Sequence, residues 1–176
     1  MAEAWAIFIS GRGSNLAALL DLPWLDVRVV VSSKADAQGI LRARRVGIPV
    51  RVLERQIDWI QLDSDLRNLG VTKIFLAGFM RLLPPAFVDR WRGRVFNIHP
   101  SLLPLFPGKE ALERSFVNGG PIGVTIHEAV AEVDAGPILL QRKLYDSSRG
   151  LTLDQVRILI SRVEQNLIRE AVCRLS

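Results

Sequence analysis

The chain is poor in cysteine, in aromatic rings and in long apolar runs, and each shortage removes a class of protein. Cys173 is the only cysteine among 176 residues, so neither a disulfide framework nor a thiolate metal site can be built. The longest near-continuous apolar run, Ile74 to Met80, stops at Arg81, whereas a membrane span needs about 20 residues. Glu3 stands where a secretory leader would be basic, and the apolar stretch after it is short. Aromatic residues make up 7% of the chain and are not interleaved with its scattered arginines, which argues against a nucleic-acid partner. No repeat, low-complexity tract or interdomain linker is visible. The expectation is a cytoplasmic chain with no membrane or nucleic-acid partner.

What is present describes a folded domain. Hydrophobic residues are 49% and charged residues 23%, with a mean hydropathy of +0.22, a balance that excludes disorder. The length suits one domain with a sizeable core, residues 1–176. Lys and Arg exceed Asp and Glu by 23 to 18, a net charge of +5. Such a balance suits an anionic partner, either a phosphorylated small molecule or a nucleic acid, of which the scattered arginines favour the first.

Strand-like and helix-like segments alternate, which predicts an α/β fold with a largely parallel sheet. The strand candidates are Ala4–Ser10, Val27–Ser32, Ile48–Leu53, Lys73–Phe79, Arg94–Ile98, Gly123–Glu128 and Pro137–Leu144. Several are near-continuous Ile, Val and Phe runs, as expected where both sheet faces are covered. Helices are predicted at Asn15–Leu22, Ala37–Val46, Gln56–Leu69, Pro85–Trp91 and Lys109–Asn118. A further helix begins at Thr152, where Gln155 completes a capping box and Leu153, Val156, Ile160, Val163, Leu167 and Val172 trace one apolar stripe. Gly108–Gly123 and Asp146–Gly150 are expected to be the mobile loops.

Three segments carry chemistry. Gly11, Arg12, Gly13, Ser14 and Asn15 lie between a buried strand and a helix. The glycines allow close backbone approach, and Ser14 or Asn15 can cap a helix whose free N–H groups favour an anion. An ordinary glycine turn would look the same. Asn97 and His99 sit two apart at a strand end, so their side chains share a side. An amide donor beside an imidazole suits a reaction that develops an oxyanion. His127 shares a strand face with Thr125, and Asp134 follows in the next loop, where a carboxylate could reach an imidazole and raise its basicity. Taken singly, each reads as a capped strand end or a turn residue.

Together these blocks closely resemble the phosphoribosylglycinamide formyltransferase family, folate-dependent enzymes of purine synthesis. The likeness runs in order through Ser10–Leu16, Ser32–Ala37, Ala77–Leu83, Asn97–Pro104, Gly123–His127 and Asp134–Gln141. It implies a three-layer Rossmann-like α/β fold with a mostly parallel sheet of about seven strands and helices on both faces. The phosphate-binding half would span about residues 1–80, and the folate-binding and catalytic half about 81–176. The implied reaction is direct attack of the glycinamide ribonucleotide amine on the formyl carbon of 10-formyltetrahydrofolate, the co-substrate, with no metal. Asn97, His99 and Asp134 would be catalytic, with Asp134 keeping His99 charged and His127 supporting them. Gly11, Arg12, Gly13, Ser14 and Asn15 would hold the substrate phosphate, and Glu164 its ribose. Met80, Arg81, Leu82 and Leu83 would line the folate site. Partners would be these small molecules, and the chain a monomer or homodimer.

The chain departs from the family at Arg12, where a small polar residue is usual, and at Ala135, where Gly or Thr is usual. It is also shorter around Glu54–Leu69 and after the final helix, and Lys109–Pro121 lacks histidine. Alternatives are an N-formyltransferase acting on a nucleotide-linked amino sugar, and a non-catalytic folate- or nucleotide-binding module. A methionyl-tRNA relative would carry a further C-terminal domain, and a deformylase an N-terminal one.

Overall fold

The computed structural model describes residues 3–144 and 150–176. Residues Asp146–Arg149 of the second expected mobile loop therefore lie outside the described residues. Seven strands form one sheet in the order β3-β2-β1-β4-β5-β6-β7. They are β1 (Ala4–Ile9), β2 (Asp26–Ser32), β3 (Val50–Val52), β4 (Lys73–Leu76), β5 (Val95–His99), β6 (Gly123–Glu128) and β7 (Ile138–Lys143). The five strands β3-β2-β1-β4-β5 are parallel, while β6 and β7 each run antiparallel to their neighbours.

The alternation within β1 makes three layers. Trp5, Ile7 and Ile9 point to one face with α1 (Ser14–Leu20), α2 (Gly39–Arg45), α5 (Ala111–Val117) and α6 (Leu153–Leu175). Ala6 and Phe8 point to the other, with α3 (Trp59–Asn68) and α4 (Pro85–Arg90). A strand buried on both faces needs no polar residue, which is why β1 reads as an unbroken apolar run. The expected capping box joins Thr152 and Gln155 at the start of α6. Val156, Ile160, Leu167 and Val172 of its stripe are buried, and Leu153 and Val163 pack beside them.

Several boundaries differ from expectation for local reasons. The β4 strand stops at Leu76, because Gly78 turns the chain at φ +82°. The β3 strand begins only after Pro49, which has no N–H to pair and contributes only its carbonyl, to Val30 N. Asp58 caps α3 by accepting from Ile60 N and Gln61 N, so that helix starts later than Gln56.

Strand order reverses direction between β1 and β4, with β2 lying beyond one and β5 beyond the other. In parallel α/β sheets the crevice beyond the strand C-termini at such a point is where ligands bind. The loops after β1 and β4 meet there, and Met80 N donates to Ser10 Oγ at 2.8 Å.

Candidate active site

Asn97 and His99 project from β5 on the same face as Thr125 and His127 of β6, and antiparallel pairing sets Asn97 opposite His127 and His99 opposite Thr125. The two polar pairs are thus direct cross-strand neighbours. At His127 the β6–β7 register slips: Ile126 pairs with Leu140 and His127 with Ile138. Leu139 is left over as a bulge, a common device for re-aiming a side chain beside a site.

Asp134 enters from the β6–β7 loop with φ +56°, a backbone conformation that costs a non-glycine residue energy. Its carboxylate lies between the two imidazoles. Oδ2 is 3.4 Å from His99 Nδ1, and Oδ1 is 3.4 Å from His127 Nε2. Gly108 N donates to Oδ2 at 2.7 Å, and Asn97 Nδ2 lies 3.4 Å from Oδ1. Gly136 is required close by, since a Cβ there would be driven into the Glu128 carbonyl oxygen.

The other edges of the rings are fixed by carbonyls. His99 Nε2 donates to Phe106 O at 3.0 Å, and His127 Nδ1 to Glu128 O at 2.9 Å. Phe106 itself sits at φ +53°. Its loop is pinned by Ser101 Oγ to Leu105 O, and by Gln141 Nε2 to Leu103 O and Thr125 Oγ1. Thr125 and Gln141, to which the sequence assigned no role of their own, thereby hold the loop that holds His99. Much of the expected mobile segment is anchored too, through Gly108 N on Asp134 and Ser115 Oγ on Pro121 O.

Burial of Asp134 would raise its pKa, but His127, the Gly108 N–H and His99 outweigh it and hold the carboxyl at about 2. His99 goes the other way from expectation. Burial pushes it below its ordinary 6.5, against the upward pull of Phe106 O and of the Asp134 charge. A carboxylate neighbour raises basicity only where its attraction exceeds the cost of burying the cation.

At the loop after β1, Gly13 occupies the N-cap position of α1 at φ +74°, and no described side chain caps the helix. The capping expected of Ser14 or Asn15 is therefore not made. Asn15 turns inward instead, its Nδ2 donating to Glu164 Oε2 at 3.2 Å, while its buried Oδ1 has no partner among the described residues. Burial raises the Glu164 carboxyl to about 7, against that hydrogen bond. Glu164 thus faces the interior beside the loop. Gly13 also meets Gly39 backbone to backbone, a partner that sequence spacing could not reveal. Arg12 is exposed, and its carbonyl accepts from Arg42 Nε at 3.1 Å.

In the loop after β4, Met80 and Leu82 are 72% and 73% exposed, and Leu83 is half-buried. Arg81 Nη1 donates to Glu54 O at 2.6 Å. Met80 and Leu82 thus place two large apolar side chains in water beside the crevice where the loops after β1 and β4 meet.

Residues 4–172 match the formyl transferase family model. The chain belongs to the formyl transferase family. Within it, the chain is 40% identical over 150 residues to phosphoribosylglycinamide formyltransferase of Escherichia coli, covering 78% of this chain and 71% of that protein. It is 40% identical over 148 residues to the human trifunctional purine biosynthetic protein adenosine-3, covering 77% of this chain but only 15% of that much longer protein. The crystal structure of phosphoribosylglycinamide formyltransferase from Anaplasma phagocytophilum superposes with a TM-score of 0.91 at 36% identity, over 98% of this chain and 86% of that one. The family's α/β architecture is thus present throughout the described residues, which include no helix long and apolar enough to cross a membrane.

Proposed function

We propose that this protein transfers the formyl group of 10-formyltetrahydrofolate to the primary amine of glycinamide ribonucleotide. The observation that carries the reading is the ionised Asp134 set between His99 and His127, with the Asn97 amide against it. Amine attack on a formyl carbon needs two services, a donor for the growing oxyanion and a base for the ammonium proton.

In this reading Asn97 supplies an N–H to the oxyanion. The nitrogen–carbon bond forms as the C=O π pair moves onto oxygen. The amine proton passes, through water, to His99 Nδ1, whose positive charge the Asp134 carboxylate balances. Collapse reforms the C=O bond, breaks the bond to the folate N10, and returns a proton to that nitrogen. The products are a formamide and tetrahydrofolate, so atoms and electrons balance with no oxidant. Neither a metal nor a covalent formyl-enzyme is part of the scheme.

Gly11–Asn15 would take the substrate phosphate, with Arg12 adding positive charge. Glu164 and the unpartnered Asn15 Oδ1 are acceptors short of donors, a need that two vicinal ribose hydroxyls meet. Met80, Leu82 and Leu83 would cover the apolar folate ring system, and Arg81 would face its glutamate. The phosphate and folate halves, about 1–80 and 81–176, would then meet at the β1–β4 crevice.

The test is spectrophotometric, with purified protein, a 10-formylfolate donor, and glycinamide ribonucleotide supplied or withheld. Turnover only with the ribonucleotide is expected. Donor breakdown without it, or folate binding with no turnover, overturns the assignment.

A further inference from the structure

We propose that His127 is a positioning residue that fixes which end of the Asn97 amide faces the reacting carbonyl. The inference rests on the formyl-transfer reading for its kinetic consequence, though not for its geometry.

The argument is a donor and acceptor count. Glu128 O, a carbonyl, can only accept, so the 2.9 Å contact requires the hydrogen of a neutral His127 to sit on Nδ1. While the ring is neutral, Nε2 carries a bare lone pair that lies 3.4 Å from Asp134 Oδ1, and Asn97 Nδ2 lies 3.2 Å from it. The second acceptor near that nitrogen is Asp134 Oδ1, at 3.4 Å. With the amide reversed, Asn97 Oδ1 would face a lone pair and a carboxylate at once, and neither offers a hydrogen. The NH2 end is therefore locked toward the cluster. One hydrogen is held by His127, and the other, in the long contact to Asp134, is free to exchange onto a substrate oxygen.

Two further features support a designed contact. Asn97 and His127 are register partners across β5 and β6, so the distance is set by the sheet rather than by flexible loops. The Glu128 carbonyl that fixes the tautomer is the atom into which a Gly136 Cβ would be driven, so glycine at 136 leaves that acceptor in place. Without the acceptor on His127, the broad two-fold torsion at the end of an asparagine would let the amide present its oxygen to a developing oxyanion.

The experiment compares His127→Phe, which keeps ring bulk without an acceptor, with His127→Gln, whose side-chain carbonyl can accept from Asn97. With folate donor and glycinamide ribonucleotide, His127→Phe is expected to lose roughly ten- to a hundred-fold in kcat, a part of what removing an oxyanion donor costs. Both KM values should stay within about three-fold, and His127→Gln should recover much of the loss. A purely structural role would not be rescued by glutamine and would lower thermal stability in step with activity. An unchanged kcat in His127→Phe, or no rescue in a folded His127→Gln, overturns the proposal. Absence of turnover in the wild type instead overturns the formyl-transfer reading. Nitrogen NMR of the wild-type imidazole decides the geometry in either case: Nδ1 protonated and Nε2 bare is expected, and a hydrogen on Nε2 refutes the lock.

Discussion

Gly13 and Gly39 touch backbone to backbone, so that a Cβ added to Gly13 would lie 2.6 Å from the Gly39 Cα. The loop after β1 is therefore seated on the start of α2, and Gly39 N donates to Gly11 O at 3.1 Å across the junction. Gly13→Ala meets both this collision and a left-handed backbone at φ +74°. It should destabilise the fold by about 1–3 kcal/mol and raise KM for the ribonucleotide more than for the folate. Gly39→Ala presses first on the Ile9 Cδ1 methyl at 2.6 Å, a side-chain end that can turn aside, so its cost should be smaller. Urea unfolding and paired KM values on both variants measure the difference.

Removing the chemistry should leave the fold. His99→Ala and Asp134→Asn are expected to lower kcat by roughly 10²–10⁴, the range for losing an acid–base or oxyanion group. Their circular dichroism should match the wild type. Near-full kcat in either folded variant contradicts the assigned roles.

The pH profile should separate two sites. In the proposed function Glu164, at about 7, would have to ionise before it accepts two hydroxyl hydrogens, so kcat/KM for the ribonucleotide should rise through pH 7. As the proposed base, His99 would have to be neutral, placing a second acid limb below 6.5, while Asp134, at about 2, adds none in that range. Stability carries the opposite sign at Glu164. Its raised folded pKa favours the native state below the ordinary 4.5, and that advantage is lost as pH rises through 7. Glu164→Gln should therefore raise the ligand-free Tm at pH 8, flatten its dependence between about pH 4.5 and 7, and abolish the limb near 7.

Asp63 is a stability centre remote from the site. It accepts from the buried Trp91 Nε1 at 2.7 Å, from Arg67 Nε at 2.9 Å and from Arg90 Nη1 at 3.0 Å. Burial would raise its pKa, but Arg90, Arg67 and Trp91 win and hold it below 3.8. Its contribution is thus complete above about pH 4 and lost as pH falls below that. The arginines can return to water, whereas the indole N–H cannot. Asp63→Ala should cost about 2–4 kcal/mol in urea unfolding, and Asp63→Asn, which retains an acceptor, clearly less.

Charge should act on encounter. With a net charge of +5 and two anionic substrates, kcat/KM should fall as salt is raised while kcat changes little. A salt-independent kcat/KM measured from 50 to about 300 mM would count against steering.

Most of this architecture was legible because a strand buried on both faces writes an unbroken apolar run, as in β1, and because α6 carries its cap and stripe locally. The common side of Asn97 and His99 followed from a period of two. Cross-strand register did not, since nothing in either segment states that Asn97 will face His127. Nor did the balance at His99, where burial outweighs the carboxylate, because the depth of a ring depends on the loop closing over it. Ser14 and Asn15 misled for a similar reason: cap chemistry is local, but Asn15 is claimed by Glu164, 149 residues away.

That last distance has a consequence for how the protein is made. At a translation rate of about 5–20 residues per second, Asn15 is synthesised roughly 7 to 30 seconds before Glu164. The nascent chain can form β1 and its loop early, yet the acceptor pair assembles only when α6 docks against α1. An incomplete polypeptide therefore lacks the wall that Glu164 provides, and in the proposed function capture of the ribonucleotide would report that synthesis has passed the middle of α6.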